Sequence, residues 1–312
     1  MKIVFFGTPQ YVLPILVKIH KKFKSKDGVS PIVAVVTQEP KPAGRDKHIS
    51  YSAIDTWAFK KKVPIYFDAQ KLIDNNVQAD IGILAAYGKI VPKNVIDYFN
   101  KGILNVHPSL LPKYRGASPV QSALVAGEEM TGVSIIKLDK ELDHGPIVSS
   151  FKEQVLGNDN TASLRNRLFE MSAEFVSELI PAYFKGKIQP KEQHHDLATY
   201  TTTIRKLHAY IPEKYVSHAI EGKIADVNWK IPFIDELEIK PTAKNIERFI
   251  RAMHPWPEAW TCINISGKKL RLKLINAKSE NNKLILENVQ LEGKNPVSWE
   301  QFKEGYKTAI FE

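Results

Sequence analysis

One cysteine, Cys262, stands in 312 residues, so no disulfide can form within the chain and paired-cysteine metal sites are excluded. The thiol lies in the alternating run AWTCINI, where a buried small apolar residue is expected rather than a nucleophile. Long apolar runs are lacking too. MKIVFFG holds four consecutive apolar residues before Gly7, far short of a signal-peptide core or a membrane span, and a cytoplasmic location is expected. Glycine is scarce where a dinucleotide site needs it: the turn in FFGTPQ carries one glycine, whereas the phosphate-cradling fingerprint has three. A nicotinamide dehydrogenase is thereby disfavoured. Acidic residues are outnumbered, 34 against 44 Lys and Arg, for a net charge of +10. That excess fits a partner carrying phosphates, and it is spread over both halves of the chain.

What is present falls into two styles. KIVFF, IVAVVT, IGILAA, ILNV and VSIIKL are compact and continuous apolar runs, as expected of strands buried on both faces of a parallel sheet. Between them, SAIDTWAFKKK, NVIDYF and SPVQSALVAG have helical length, and Thr161 to Lys185 is amphipathic at helical spacing. This alternation predicts an α/β fold with a Rossmann-like, mostly parallel sheet over residues 1–188. The polar run GKIQPKEQHHDLATYTTTIRK then reads as a linker, 189–206, with His194 and His195 solvated. Beyond it, TAKNIERFIRAM precedes AWTCINI, KLRLKLINA and KLILENVQLEG, which alternate with period two. One helix with several short antiparallel strands predicts a smaller OB-like β-barrel over 207–312.

The chemistry-bearing run is NVHPSLLPKYRG, Asn105 to Gly116, followed by Asp143 in LDKELDHGP. An amide can donate to an oxyanion, an imidazole can donate or carry a proton, and a carboxylate can hold that imidazole charged and oriented. Singly, each has a structural alternative: Asn105 as a loop cap, His107 as a core histidine, Asp143 as a turn former before Gly145. Their joint occurrence, with Asn105 and His107 ending a buried strand, points to acyl transfer. Pro108 and Pro112 stiffen the loop between them, whose apolar side chains suit the flanks of a flat ring.

NVHPSLLPKYRG with the later LDHG resembles the signature of the 10-formyltetrahydrofolate-dependent formyltransferases. KIVFFGTPQYVLPIL, VVTQEPKPAGR, AAYGKIVP, YRGASPVQSALVAGEEMTGVSII, FIRAMHPWPEAWT and VQLEGKNPVSW extend the likeness over nearly the whole chain, towards members that act on initiator tRNA. The resemblance implies transfer of a formyl group from 10-formyltetrahydrofolate, as co-substrate, to the α-amino group of methionine on initiator tRNA. No metal is required. It makes Asn105, His107 and Asp143 the catalytic residues. It lines the folate pocket with Ser109, Leu110, Leu111 and Pro112, and places Tyr87, Ile90 and Asp139 nearby. Lys41, Arg45 and Lys47, in the loop Gln38 to Ser50, would reach the acceptor end of the tRNA, with the C-terminal domain holding the rest. A monomer without membrane contact is expected. A small amine, an amino-sugar nucleotide or glycinamide ribonucleotide, is the alternative acceptor. Two positions depart from the family pattern: Pro108, where alanine is frequent, and His208-Ala209, where Asp-Gly is usual.

Overall fold

The computed structural model of the chain describes residues 1–43 and 48–311. Contacts divide it into two compact units, each discontinuous in sequence. The first comprises Met1–Pro112, Gly132–Glu153 and Arg165–Ala198; the second comprises Lys113–Thr131, Gln154–Leu164 and Thr199–Glu312. These packing units follow different lines from the sequence division at 188 and 207.

In the first unit a sheet is built from β1 (Ile3–Gly7), β2 (Ile32–Val36), β3 (Ile65–Tyr66), β4 (Ile81–Ala85), β5 (Ile103–His107), β6 (Met130–Lys137) and β7 (Ile147–Gln154). Their spatial order is β7-β6-β5-β4-β1-β2-β3. β1 runs parallel to β2 and β4, β2 to β3, and β4 to β5. Ile3 to Phe6 have no exposed surface, which is why β1 shows no polar alternation. Phe6 meets Tyr87 and Phe99 edge-on, at centroid distances of 5.9 and 6.0 Å, within a cluster that includes Val4, Val36, Val95 and Ile103. The unit's longer helices are α1 (Leu13–Phe23), α2 (Ala53–Lys61) and α3 (Thr161–Phe184). Ser52 caps α2 by accepting the Asp55 N–H at 3.0 Å, and α3 buries Leu168, Ser172, Val176 and Ile180, an i, i+4 stripe.

β6 departs from the expected parallel arrangement. It pairs antiparallel with β5, Leu104 opposite Lys137 and His107 opposite Ser134. A strand covered on both faces reads as continuously apolar whichever way it runs, so direction is not encoded in that pattern.

In the second unit β8 (Ala259–Ile265), β9 (Lys268–Glu280), β10 (Lys283–Leu291), β11 (Val297–Ser298) and β12 (Ala309–Ile310) form an antiparallel half-barrel, in the order β11-β10-β9-β8-β12. The register of β9 against β10 shifts on either side of Asn276, the kind of irregularity that bends a long strand. α4 (Glu213–Glu221) and α5 (Ala243–Met253) cover its inner face. Ile246, Phe249, Ile250 and Met253 of α5 are buried at i, i+3, i+4 and i+7. Thr261 and Ile263 point inward, whereas Cys262 is half-buried on the opposite face, facing Arg271 in register. The expected buried position therefore falls one residue to either side of the thiol.

The His208-Ala209 departure lies in a one-turn 3-10 helix, Lys206–Ala209, where Ala209 is fully buried and His208 Nδ1 accepts the Arg205 N–H at 3.3 Å. Ala209 is not among the positive-φ residues, so the turn makes no demand for glycine. Among the described residues no helix is long and apolar enough to cross a membrane.

Candidate active site

Asn105 and His107 are two residues apart on β5, so the pleat turns both side chains to one face of the sheet. His107 is the last residue of the strand, at the carboxyl end where open α/β sheets receive ligands. After β6 the chain turns back, and one carboxylate serves both side chains. Asn105 Nδ2 donates to Asp143 Oδ1 at 3.1 Å, and His107 Nδ1 lies 3.4 Å from Asp143 Oδ2. Exposure is 7% for Asn105, 4% for His107 and 8% for Asp143. A carboxylate so removed from water is tolerated because each oxygen faces a nitrogen. The contact also fixes the imidazole, since Nδ1 is turned to Oδ2.

Backbone strain accompanies the arrangement. Asp143 has φ of 47°, a left-handed conformation that asparagine and aspartate adopt more readily than other side chains. Two residues on, a Cβ at Gly145 would sit 1.9 Å from the Lys137 carbonyl oxygen, so the loop lies against the end of β6 only because that side chain is absent. The turn at Asp143 aims its carboxylate at Asn105 and His107.

Ser134, absent from the sequence-derived set, organises the loop after β5. Its hydroxyl accepts the Leu111 N–H at 3.0 Å and donates to the Ser109 carbonyl at 2.8 Å, while Ser109 N–H bonds the His107 carbonyl at 2.9 Å. Ser134 is 1% exposed and stands opposite His107 in register. The only sequence signal for it is its place in VSIIKL, a polar residue inside an apolar strand.

The other expected folate neighbours scatter in character. Ser109 and Leu111 are buried, and Leu110 and Pro112 are half-buried. The Tyr87 ring is packed into the core, burial raising its phenol pKa, and its carbonyl accepts Thr8 Oγ1 at 3.0 Å and Gln38 Nε2 at 3.1 Å. Ile90 is 93% exposed. Asp139 Oδ2 is 2.7 Å from His144 Nδ1, on the same loop as Asp143.

Of the basic loop, Lys41 Nζ donates to Gln38 Oε1 at 2.9 Å, while Arg45 and Lys47 lie outside the described residues. Lys41 borders a cavity of about 780 Å³ at the carboxyl ends of β1 and β2, lined also by Thr8, Gln38, Tyr51, Trp57 and Lys60. In the second unit, the outward face of β8 and β9 pairs Trp260 with Lys273, Cys262 with Arg271, and Asn264 with Lys269. The Arg271 guanidinium lies over the Trp260 ring, 4.1 Å from its centroid, a cation–π arrangement.

Residues 1–180 match the formyl transferase family, and residues 236–284 match the formyl transferase C-terminal domain. The chain is 33% identical to a methionyl-tRNA formyltransferase of Fusobacterium nucleatum, with 95% of this chain and 87% of that protein covered. It is 32% identical to one of Dictyoglomus turgidum, with 100% and 98% covered. Among solved structures, a methionyl-tRNA formyltransferase from Clostridium thermocellum superposes with a TM-score of 0.56 at 19% identity, covering 93% of this chain and 98% of that one. An N-formyltransferase from Helicobacter canadensis, complexed with folinic acid and dTDP-3-aminofucose, gives 0.60 at 17% identity, covering 90% and 89%. At those identities the two structures speak for the fold. On the two matched regions and full-length relatives above 30% identity, the chain belongs to the formyl transferase family.

Proposed function

We propose that the protein transfers the formyl group of 10-formyltetrahydrofolate to the α-amino group of methionine carried on initiator tRNA, in the cytoplasm and as a monomer. The observation that carries this reading is the buried Asp143 carboxylate shared between Asn105 Nδ2 and His107 Nδ1 at the carboxyl end of β5. The relatives named for that activity supply the acceptor.

The neutral amine attacks the formyl carbon, and the carbonyl oxygen becomes negative. Asn105 spends one amide hydrogen on Asp143; its second, together with a protonated His107, serves the oxyanion. Losing one such donor costs about 3 to 4 kcal/mol in the barrier. Asp143, whose Oδ2 faces His107 Nδ1 at 3.4 Å, takes the amine's proton, directly or through water. As the intermediate collapses, the bond from carbon to the folate nitrogen breaks, and that nitrogen leaves with the proton that Asp143 took from the amine, returned directly or through water. The half-buried Leu110 and Pro112 are the surfaces offered to the folate ring.

For the tRNA, Lys41 beside its cavity would meet the acceptor end together with Arg45 and Lys47. The basic, Trp260-bearing face of β8 and β9 would meet backbone phosphates, with catalytic and C-terminal roles divided near residues 188 and 207. Purified protein with labelled 10-formyltetrahydrofolate tests the reading. Label should enter methionine-charged initiator tRNA, and neither uncharged tRNA nor a dTDP-linked amino sugar. Formylation of the sugar without formylation of the tRNA would move the protein to the small-amine branch.

A further inference from the structure

The polar segment after α3 meets the Asp143 loop at three places. Lys191 and Ile147 exchange backbone hydrogen bonds, at 2.8 Å from Lys191 N–H and 2.7 Å from Ile147 N–H. The His144 and His195 rings stack with centroids 3.9 Å apart and planes 5° from parallel. Between these contacts, Gln193 Nε2 donates to the Asp143 carbonyl at 2.9 Å and to the Gly145 carbonyl at 2.8 Å. Gln193 is 5% exposed, whereas Glu192 and His194 on either side are exposed.

We propose that Gln193 is a positioning residue for the reaction, clamping the backbone on both sides of His144 so that the Asp143 carboxylate stays between Asn105 and His107. The inference rests on the formyl-transfer reading and adds to it a residue outside the strand-end cluster. A primary amide nitrogen carries two hydrogens, and the two acceptors here are both carbonyl oxygens. Glutamate, of the same size, would set oxygen against oxygen, and methionine would take both of these buried hydrogen bonds away. The residue being held is strained, with φ of 47° at Asp143, and such conformations persist when the surroundings over-determine them. Gly145 lets the loop approach the end of β6, and Gln193 holds the same loop by two of its carbonyls. Displacement of a catalytic group by about 1 Å costs on the order of 100-fold in rate.

Full-length Gln193→Met and Gln193→Glu should be compared with the native protein in steady-state formylation and in hydrogen–deuterium exchange over residues 139–147. The clamp predicts kcat lower by about 10- to 100-fold, KM for donor and acceptor within about twofold, and faster exchange confined to that loop. Gln193→Asn, which keeps the two donors one methylene shorter, should recover part of kcat. Native kcat in a folded Gln193→Met, a change carried by KM alone, or loss of the fold in all three variants overturns the proposal. A native protein that formylates no acceptor strikes the parent reading instead, and unchanged exchange in Gln193→Met would then dismiss the clamp on its own.

Discussion

Exchanging Asp143 for asparagine keeps the shape of the site and removes its charge. At 3.4 Å between His107 Nδ1 and Asp143 Oδ2, a carboxylate and an imidazolium attract by about 5 kcal/mol at an effective dielectric of about 20. Some of this survives, because the asparagine carbonyl still accepts a hydrogen bond. The Asn105 contact at 3.1 Å also weakens, from a charge-assisted bond to a neutral one, roughly halving its strength. Taken together, a barrier increase of about 3 to 4 kcal/mol is expected, which is a fall in kcat of roughly 100- to 1,000-fold. Single-turnover formylation of charged tRNA at saturating folate measures it free of product release, with thermal unfolding run alongside to show that the variant is folded. Because both contacts belong to one cluster, Asp143→Asn and Asn105→Ala should combine less than additively, with a coupling of about 1 kcal/mol or more. A folded Asp143→Asn whose single-turnover rate is within fivefold of native, or strict additivity in the cycle, refutes the shared-carboxylate mechanism.

Four further outcomes are expected. Asn105→Ala alone should lower kcat by about 100- to 1,000-fold with little change in KM; a loss confined to KM would remove Asn105 from oxyanion duty. Gly145→Ala places a Cβ against the Lys137 carbonyl, 1.9 Å away, so stability should drop by about 1 to 3 kcal/mol along with activity, and an unchanged melting curve would show that the loop can yield. Arg271→Ala should weaken tRNA binding and reduce the slope of log affinity against log salt by about 1, leaving turnover at saturating tRNA intact; an unaltered slope would clear the β8–β9 face of phosphate contact. Burial, aided by the charges of Lys61 and Lys24, lowers the His20 pKa from 6.5. The folded state therefore resists protonation, and its stability is retained above about pH 6.5 and falls as pH drops below that value. Urea midpoints at pH 7.5 and 5 should differ less in His20→Asn than in native protein, and equal differences would exclude His20 as a source.

Helices α2, α3 and α5 and most of the longer strands were legible because their spacing is local: Thr161 to Phe184 carries its stripe within itself, and β8 to β10 alternate in period two. Direction was not legible for β6, whose burial on both faces erases the pattern that would mark it. Cys262 shows the limit at single residues. Period-two alternation marks its strand, yet the thiol belongs to the outer face, where burial and the nearby Glu213 carboxylate raise its pKa.

Asn105 and His107 were bound to share a face by sequence alone, since two residues on one strand are one pleat repeat apart. Their partnership with Asp143 was a matter for the tertiary structure: it needs β6 to return antiparallel and the loop beyond it to take a left-handed turn, and neither follows from composition or spacing. The same holds for Gln193. A polar residue among polar neighbours carries no sign of burial, and only the chain's return past Ile147 brings its two amide hydrogens to the carbonyls of Asp143 and Gly145. Local periodicity sets what a segment becomes, while contacts between segments far apart in sequence decide which groups meet.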